Sequence, residues 1–224
     1  GMNMKRSEIN GIIRQFEDML ARHCFALPPF TGFTPEQWAE AGHEWDEVRQ
    51  AGLGWDVTDY GLGQYEKTGL ALITLRNGLP GGKPYAEKIM LSQPLQVCPL
   101  HFHWKKTEDI INRGGGELMF ILYNADADGN RLDTDVTLHR DGRRVTVPAG
   151  VPFGLMPGES LTLEPLCYHA FYASEAGSVL VGEVSSCTDD VADNRFFEPI
   201  GRFPAVEEDE PPYRLLCTEY PPAP

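Results

Sequence analysis

The chain has 224 residues, 42% hydrophobic and 23% charged, the balance of a globular protein with its own core. That length gives one large domain or two small ones, able to bury a core without disulfides or a structural metal. Lys and Arg number 19 against 33 Asp and Glu, a formal charge of −14, and no basic run occurs, so nucleic acid and anionic membrane surfaces are poor partners. No stretch reaches the roughly 18–20 apolar residues that span a bilayer, and Met2–Arg22 lacks the apolar block of a signal peptide. The cysteines (Cys24, Cys98, Cys167, Cys187, Cys217) are scattered without a CxxC pair and read as reduced thiols of a cytoplasmic protein.

In chain order, residues 2–52 read as a helical N-terminal extension. Ile9, Ile12, Ile13, Phe16, Met19 and Leu20 recur at offsets of three and four and make one apolar stripe, with Ser7 as the expected cap. Leu27-Pro28-Pro29 breaks that helix. Thr34-Pro35-Glu36-Gln37 starts another, because Thr34 can cap, Pro35 suits the first turn and Gln37 can reach back. From about residue 53 the texture changes to short β-rich runs: 70–75, 86–91, 95–100, 118–123, 144–147, 161–163, 168–172 and 179–184. Asn77-Gly78, Pro80-Gly81-Gly82, Gly114-Gly115-Gly116, Asp128-Gly129, Asp141-Gly142 and Pro157-Gly158 punctuate them. Many short strands without alternating helices predict a mainly β sandwich or barrel over 53–206, in a single domain. The Pro- and Glu-rich segment 207–224 reads as a surface tail, wrapped or partly mobile.

His101 and His103 are two apart on a predicted strand, so both imidazoles leave the same face and Phe102 leaves the other. Glu108 follows after a bend with a hard oxygen, and His169, in the run 168–172, is the best fourth ligand. His139 sits beside a turn and reads as exposed, and His23 and His43 read as structural. Three imidazoles and a carboxylate suit Mn, Fe, Co, Ni or Zn better than Ca or Mg.

The run His101, His103, Glu108, Gly115 resembles the first cupin motif, His-x-His, four residues, Glu, six residues, Gly. Gly158, Pro165 and His169 resemble the second, although Leu166 stands where that motif has glycine, as Leu95 does ahead of the first. Within the cupins, the segments 103–116 and 182–196 are similar to those of the D-lyxose isomerases, and the likeness extends over nearly the whole chain. The resemblance implies a double-stranded β-helix (jelly-roll) barrel behind the helical extension. It also implies a manganese-dependent aldose–ketose isomerase acting on D-lyxose and D-xylulose, often with D-mannose and D-fructose, and a cytoplasmic homodimer.

Isomerisation moves a proton between C2 and C1 through an enediolate that a bound metal stabilises, so the site needs an acid and a base. Glu183 is the expected shuttle: a hairpin about 174–177 would set the run 179–184 against 168–172 and bring Glu183 opposite His169, or one residue off. Lys106, between two expected ligands, could neutralise the enediolate or serve as the acid, in competition with Lys105. Lys88, Asp190 and Arg202 are candidate sugar contacts, with Asp189, Asp193 and Arg195 in the same polar loop. Trp104 and Phe171 could offer the sugar an apolar face. The competing classes are a cupin dioxygenase holding Fe(II) in the same ligands and a non-catalytic sugar-binding cupin. A sugar-phosphate isomerase is a nearer rival, though a strongly acidic surface favours an uncharged monosaccharide.

Overall fold

The computed structural model describes residues 3–187, 190–201 and 205–224. A two-residue strand β1 (Met4–Lys5) leads into α1 (Arg6–Arg22), followed by the short helices α2 (Pro35–Glu40) and α3 (Asp46–Ala51). The β region holds β2 (Gly54–Thr58), β3 (Leu70–Arg76), β4 (Tyr85–Ser92), β5 (Cys98–His103), β6 (Glu108–Gly115) and β7 (Leu118–Ala125). It continues through β8 (Arg131–Leu132), β9 (Val136–Arg140), β10 (Arg143–Val147), β11 (Phe153–Leu155), β12 (Ser160–Leu163), β13 (Cys167–Ala173) and β14 (Val179–Ser186). A short helix α4 (Asp190–Asp193), β15 (Asn194–Phe196) and β16 (Val206–Glu207) complete it.

The strands form an eight-stranded sheet, β10-β9-β12-β6-β14-β4-β3-β2, and a facing sheet, β11-β7-β13-β5-β15, with β8 paired to β7. Their inner faces enclose one apolar cluster that includes Leu70, Met90, Ile110, Phe120, Leu161, Phe171 and Val181. This is the mainly β cupin barrel expected, and strand alternation explains its second layer. On β3, Leu70 and Leu72 face the barrel, while Ala71, Ile73 and Leu75 face a separate cluster under α1. The stripe from Ile9 to Leu20 is buried in that cluster, with Phe16 edge-on to Trp55 at 5.5 Å between ring centroids.

Several local expectations change. Helix α1 starts at Arg6 after an uncapped Lys5; Ser7 lies in its first turn and hydrogen-bonds Asp209 instead of capping. Thr34 does cap α2: its hydroxyl accepts from the Gln37 amide at 3.1 Å while the Gln37 side chain accepts from the Thr34 amide at 2.8 Å. The segment after residue 207 wraps rather than floats. β16 pairs in parallel with β1, Arg6 bonds Glu208 and Glu219 at 2.6 Å each, Asn10 holds Glu210, and Tyr220 packs on Trp38. The predicted strand at 95–100 begins only at Cys98, because Leu95 has left-handed φ (+59°). Leu166 has φ +64°. These are the two positions where the cupin motifs carry glycine, so the backbone has kept the turn and tolerates a leucine in it. Gly115, the glycine that the first motif retains, has φ +105°, and a Cβ there would collide with the Ser178 carbonyl.

Candidate active site

Alternation along β5 sends His101 and His103 into the barrel and Phe102 outward, where it packs against Trp104 and Tyr168, each 4.7 Å away between centroids. β13 runs antiparallel beside β5 with His169 directly opposite His101. One ring nitrogen from each of the three buried histidines lies within 4.8 Å of the others. Carbonyl oxygens can only accept, so Nδ1 of His101 donates to Pro99 (2.7 Å) and Nδ1 of His169 to Cys167 (3.0 Å). With Nδ1 engaged in this way, Nε2 of each ring is the nitrogen left for a metal. Burial, reinforced by the neighbouring imidazoles His169 and His103, pushes His101 well below the usual histidine range and keeps it neutral.

Glu108 is the first residue of β6, in the eight-stranded sheet. Its Oε1 lies 3.3 Å from His103 Nε2 and 3.1 Å from His169 Nε2. Burial opposes its charge, but Lys106, His103 and His169 outweigh that and hold the carboxyl well below the usual carboxylate range. An ionised carboxylate oxygen thus meets the ring nitrogens of two histidines at one point between the sheets. A divalent cation fits that arrangement, and three imidazole nitrogens with one carboxylate are a donor set for a borderline transition metal.

Glu183 arrives by a route other than the expected one. No hairpin joins the runs 168–172 and 179–184, because each strand is already flanked by two others: β13 by β7 and β5, β14 by β4 and β6. The 174–177 turn crosses between sheets. Glu183 therefore lies opposite Lys88 and Ile110, not His169, and reaches the cavity from the eight-stranded sheet. Lys106 Nζ lies 3.2 Å from Glu183 Oε2 and 3.1 Å from Glu108 Oε2, and Lys88 Nζ lies 3.8 Å from Glu183 Oε2. Lys105 is exposed, which separates it from Lys106, 3% exposed. The loop carrying both is pinned by Asp193, whose carboxylate accepts from the Lys105 and Lys106 amides at 2.9 and 3.1 Å.

The three histidines, Glu108, Glu183, Lys106 and Lys88 line one cavity of about 130 Å³ between the sheets. Lys88 also lines a larger outer cavity of about 870 Å³, rimmed by the Asn77–Pro84 loop. Phe171 lines the inner cavity, whereas Trp104 packs away from it against Phe102 and the Arg195 guanidinium. The side chain of Asp190, like all of Arg202, lies outside the described residues. His139 is exposed on β9 and His23 and His43 are exposed in the helical region. Sequence reading overlooked Thr58, Tyr60, Cys98, Asn194 and Phe196, which also line the cavity. Alternation through Asn194-Arg195-Phe196 was the available signal for the last two.

The sequence model described as D-lyxose isomerase matches residues 4–220. The chain belongs to the D-lyxose isomerase family. It is 51% identical to the D-lyxose/D-mannose isomerase of Serratia proteamaculans, over 97% of this chain and 98% of that one. The D-lyxose/D-mannose isomerase of Escherichia coli O157:H7 is 48% identical over the same shares. Among solved structures, the L-ribose isomerase of Cellulomonas parahominis, solved with L-ribose, superposes with a TM-score of 0.61 at 15% identity, over 92% of this chain and 99% of that one. At that identity the likeness is one of fold. The D-lyxose isomerase family is thus a family of sugar aldose–ketose isomerases, and its histidine triad here is one that can hold a metal ion.

Proposed function

We propose that this D-lyxose isomerase family member interconverts D-lyxose with D-xylulose, and D-mannose with D-fructose, by proton transfer between C2 and C1 through an enediolate. The observation that carries the reading is the meeting of Glu183, with two ammonium groups within 3.8 Å of its carboxylate, and the His101/His103/His169 triad in one buried cavity. His101, His103, His169 and Glu108 would hold a divalent ion, Mn²⁺ in our reading with Zn, Co, Ni or Fe as substitutes, and it would supply Lewis-acid polarisation of the sugar oxygens.

The residues of the chain do the rest. Glu183 takes the proton from C2 and returns it to C1, so a single carboxylate serves as base and then as acid, while Lys106 gives a proton to O1 and takes the one that leaves O2, turning the C1 carbonyl into a hydroxyl and the C2 hydroxyl into a carbonyl. Its ion pairs with Lys106 and Lys88 orient it. As negative charge leaves the carboxylate for the enediolate oxygens, the same two ammonium groups are placed to follow it, without any rearrangement of solvent. Phe171 and Phe196 line the remaining wall with apolar surface.

The test is to strip the protein with a chelator, restore Mn²⁺, and follow ketose formation from lyxose and mannose in D₂O. Ketose formation with solvent deuterium entering at C1 of the ketose is expected. Failure to turn over either aldose, or consumption of O₂ with the sugar, would sink the proposal.

A further inference from the structure

Asn194 carries an unexplained feature of the cavity. Its side-chain Oδ1 is buried and makes no hydrogen bond among the described residues, although the residue lines the cavity that holds the histidines. A buried carbonyl-type acceptor without a donor costs free energy, and cavities keep such groups where a ligand supplies the donor.

The position is not a loosely held one. β15 pairs antiparallel with β5, with Asn194 directly opposite His103 and Phe196 opposite His101. The residue before it, Asp193, accepts from the Trp104 amide through its carbonyl at 3.0 Å and from the Lys105 and Lys106 amides through its carboxylate. One clamp thus fixes both Lys106 and the amide of Asn194 relative to the histidines. Phe196, on the same face, lies 5.0 Å from the His101 ring between centroids, while Arg195 points away over Trp104.

We propose that Asn194 is a specificity-determining residue, whose amide oxygen accepts a hydrogen bond from a sugar hydroxyl beyond the reacting carbons, on C3 or C4. The inference rests on the isomerase reading above. Glu183 and Lys88 approach from the eight-stranded sheet, where proton transfer is to occur, Lys106 from the loop that joins the two sheets, and Asn194 from the edge of the other sheet. A sugar lying between them with C1 and C2 at Glu183 presents its next hydroxyls to Asn194. Lyxose and mannose have the same configuration at C3 and C4, so one acceptor serves both.

The test uses the Mn²⁺-loaded protein with D-lyxose, its 3-deoxy and 4-deoxy analogues, and D-arabinitol, the reduced form of lyxose, which cannot turn over. Asn194→Leu removes the acceptor at similar volume. It is expected to weaken D-arabinitol binding in calorimetry by about tenfold or more and to raise KM for lyxose more than it lowers kcat. Against one of the deoxy sugars the penalty should vanish, which identifies the hydroxyl. Asn194→Asp keeps an acceptor and should retain more polyol affinity than the leucine variant; if the leucine variant does not fold, Asn194→Ala replaces it. An equal penalty on lyxose and both deoxy sugars, or polyol binding unchanged by loss of the amide, overturns the proposal. If the wild-type protein turns over no aldose, the isomerase reading fails while the polyol comparison still decides the role of Asn194.

Discussion

Lys106 touches a carboxylate assigned to metal binding and another assigned to proton transfer, at 3.1 and 3.2 Å. Replacing it with Met leaves two buried carboxylates facing one another with one cation fewer. Truncating one member of a buried charge network costs about 3–5 kcal/mol, so Lys106→Met should lower the melting temperature as well as kcat. Glu183→Gln is gentler in charge and volume. It should cut kcat by about 10²–10⁴-fold and abolish solvent deuterium exchange into C1 of the ketose while bound manganese, measured by atomic emission, stays the same. Normal exchange in that variant would remove Glu183 from the mechanism. Cys98 and Cys167 lie near this charge, and burial pushes both thiols up to about 12. They should resist iodoacetamide at pH 8 in the native protein, and exposed Cys24 and Cys187 should be alkylated, as read by mass spectrometry.

Among the elements, the two left-handed leucines set stability against sequence. Holding a leucine there costs about 1–2 kcal/mol, while glycine brings an unfolded-state entropy cost of about 0.5–1 kcal/mol. The balance favours glycine, so Leu95→Gly, at a residue 51% exposed with little packing to lose, should raise the unfolding midpoint. A fall would mean that its contacts outweigh its strain. The 207–224 strap is held by charge. The hydrogen bond from Arg6 holds Glu208, and that from Ser7 holds Asp209, below their ordinary values of 4.5 and 3.8. Depressed carboxylates stabilise the fold above those values and lose their contribution as pH falls through the lower folded ones. Hydrogen exchange in the strap should therefore rise below about pH 4, ahead of exchange in the barrel. Elements whose determinants are local were legible in the sequence: the α1 stripe, the Thr34 box, the paired histidines on β5. The partner of Glu183 was not, because a turn at 174–177 suits a hairpin and a crossing between sheets equally well. What decides is that β4 and β6 already flank β14, a contact set distant in sequence. Asn194 escaped notice for a related reason: its three-residue strand gains meaning only when paired with His103.

For the molecule as a whole, the candidate ligands come from both sheets, three histidines from one and Glu108 from the other. A metal bound there would tie the layers together in the native state alone. At 100 times its dissociation constant such a ligand adds about 2.7 kcal/mol to stability, so chelation should lower the melting temperature and His169→Ala should erase the difference. A melting point indifferent to chelator in the wild type would argue against a resident ion. The parallel pair β1–β16 has another consequence, for biosynthesis. Arg6 meets Glu208 across 202 residues, and among the described residues β16 is the only strand partner of β1. A nascent chain can shape its barrel strands as they emerge, but the first helix waits for the strap before its charged edge is closed. Stalled or C-terminally shortened chains would therefore display an unclasped N-terminal helix, a signal that quality-control proteases and chaperones could read.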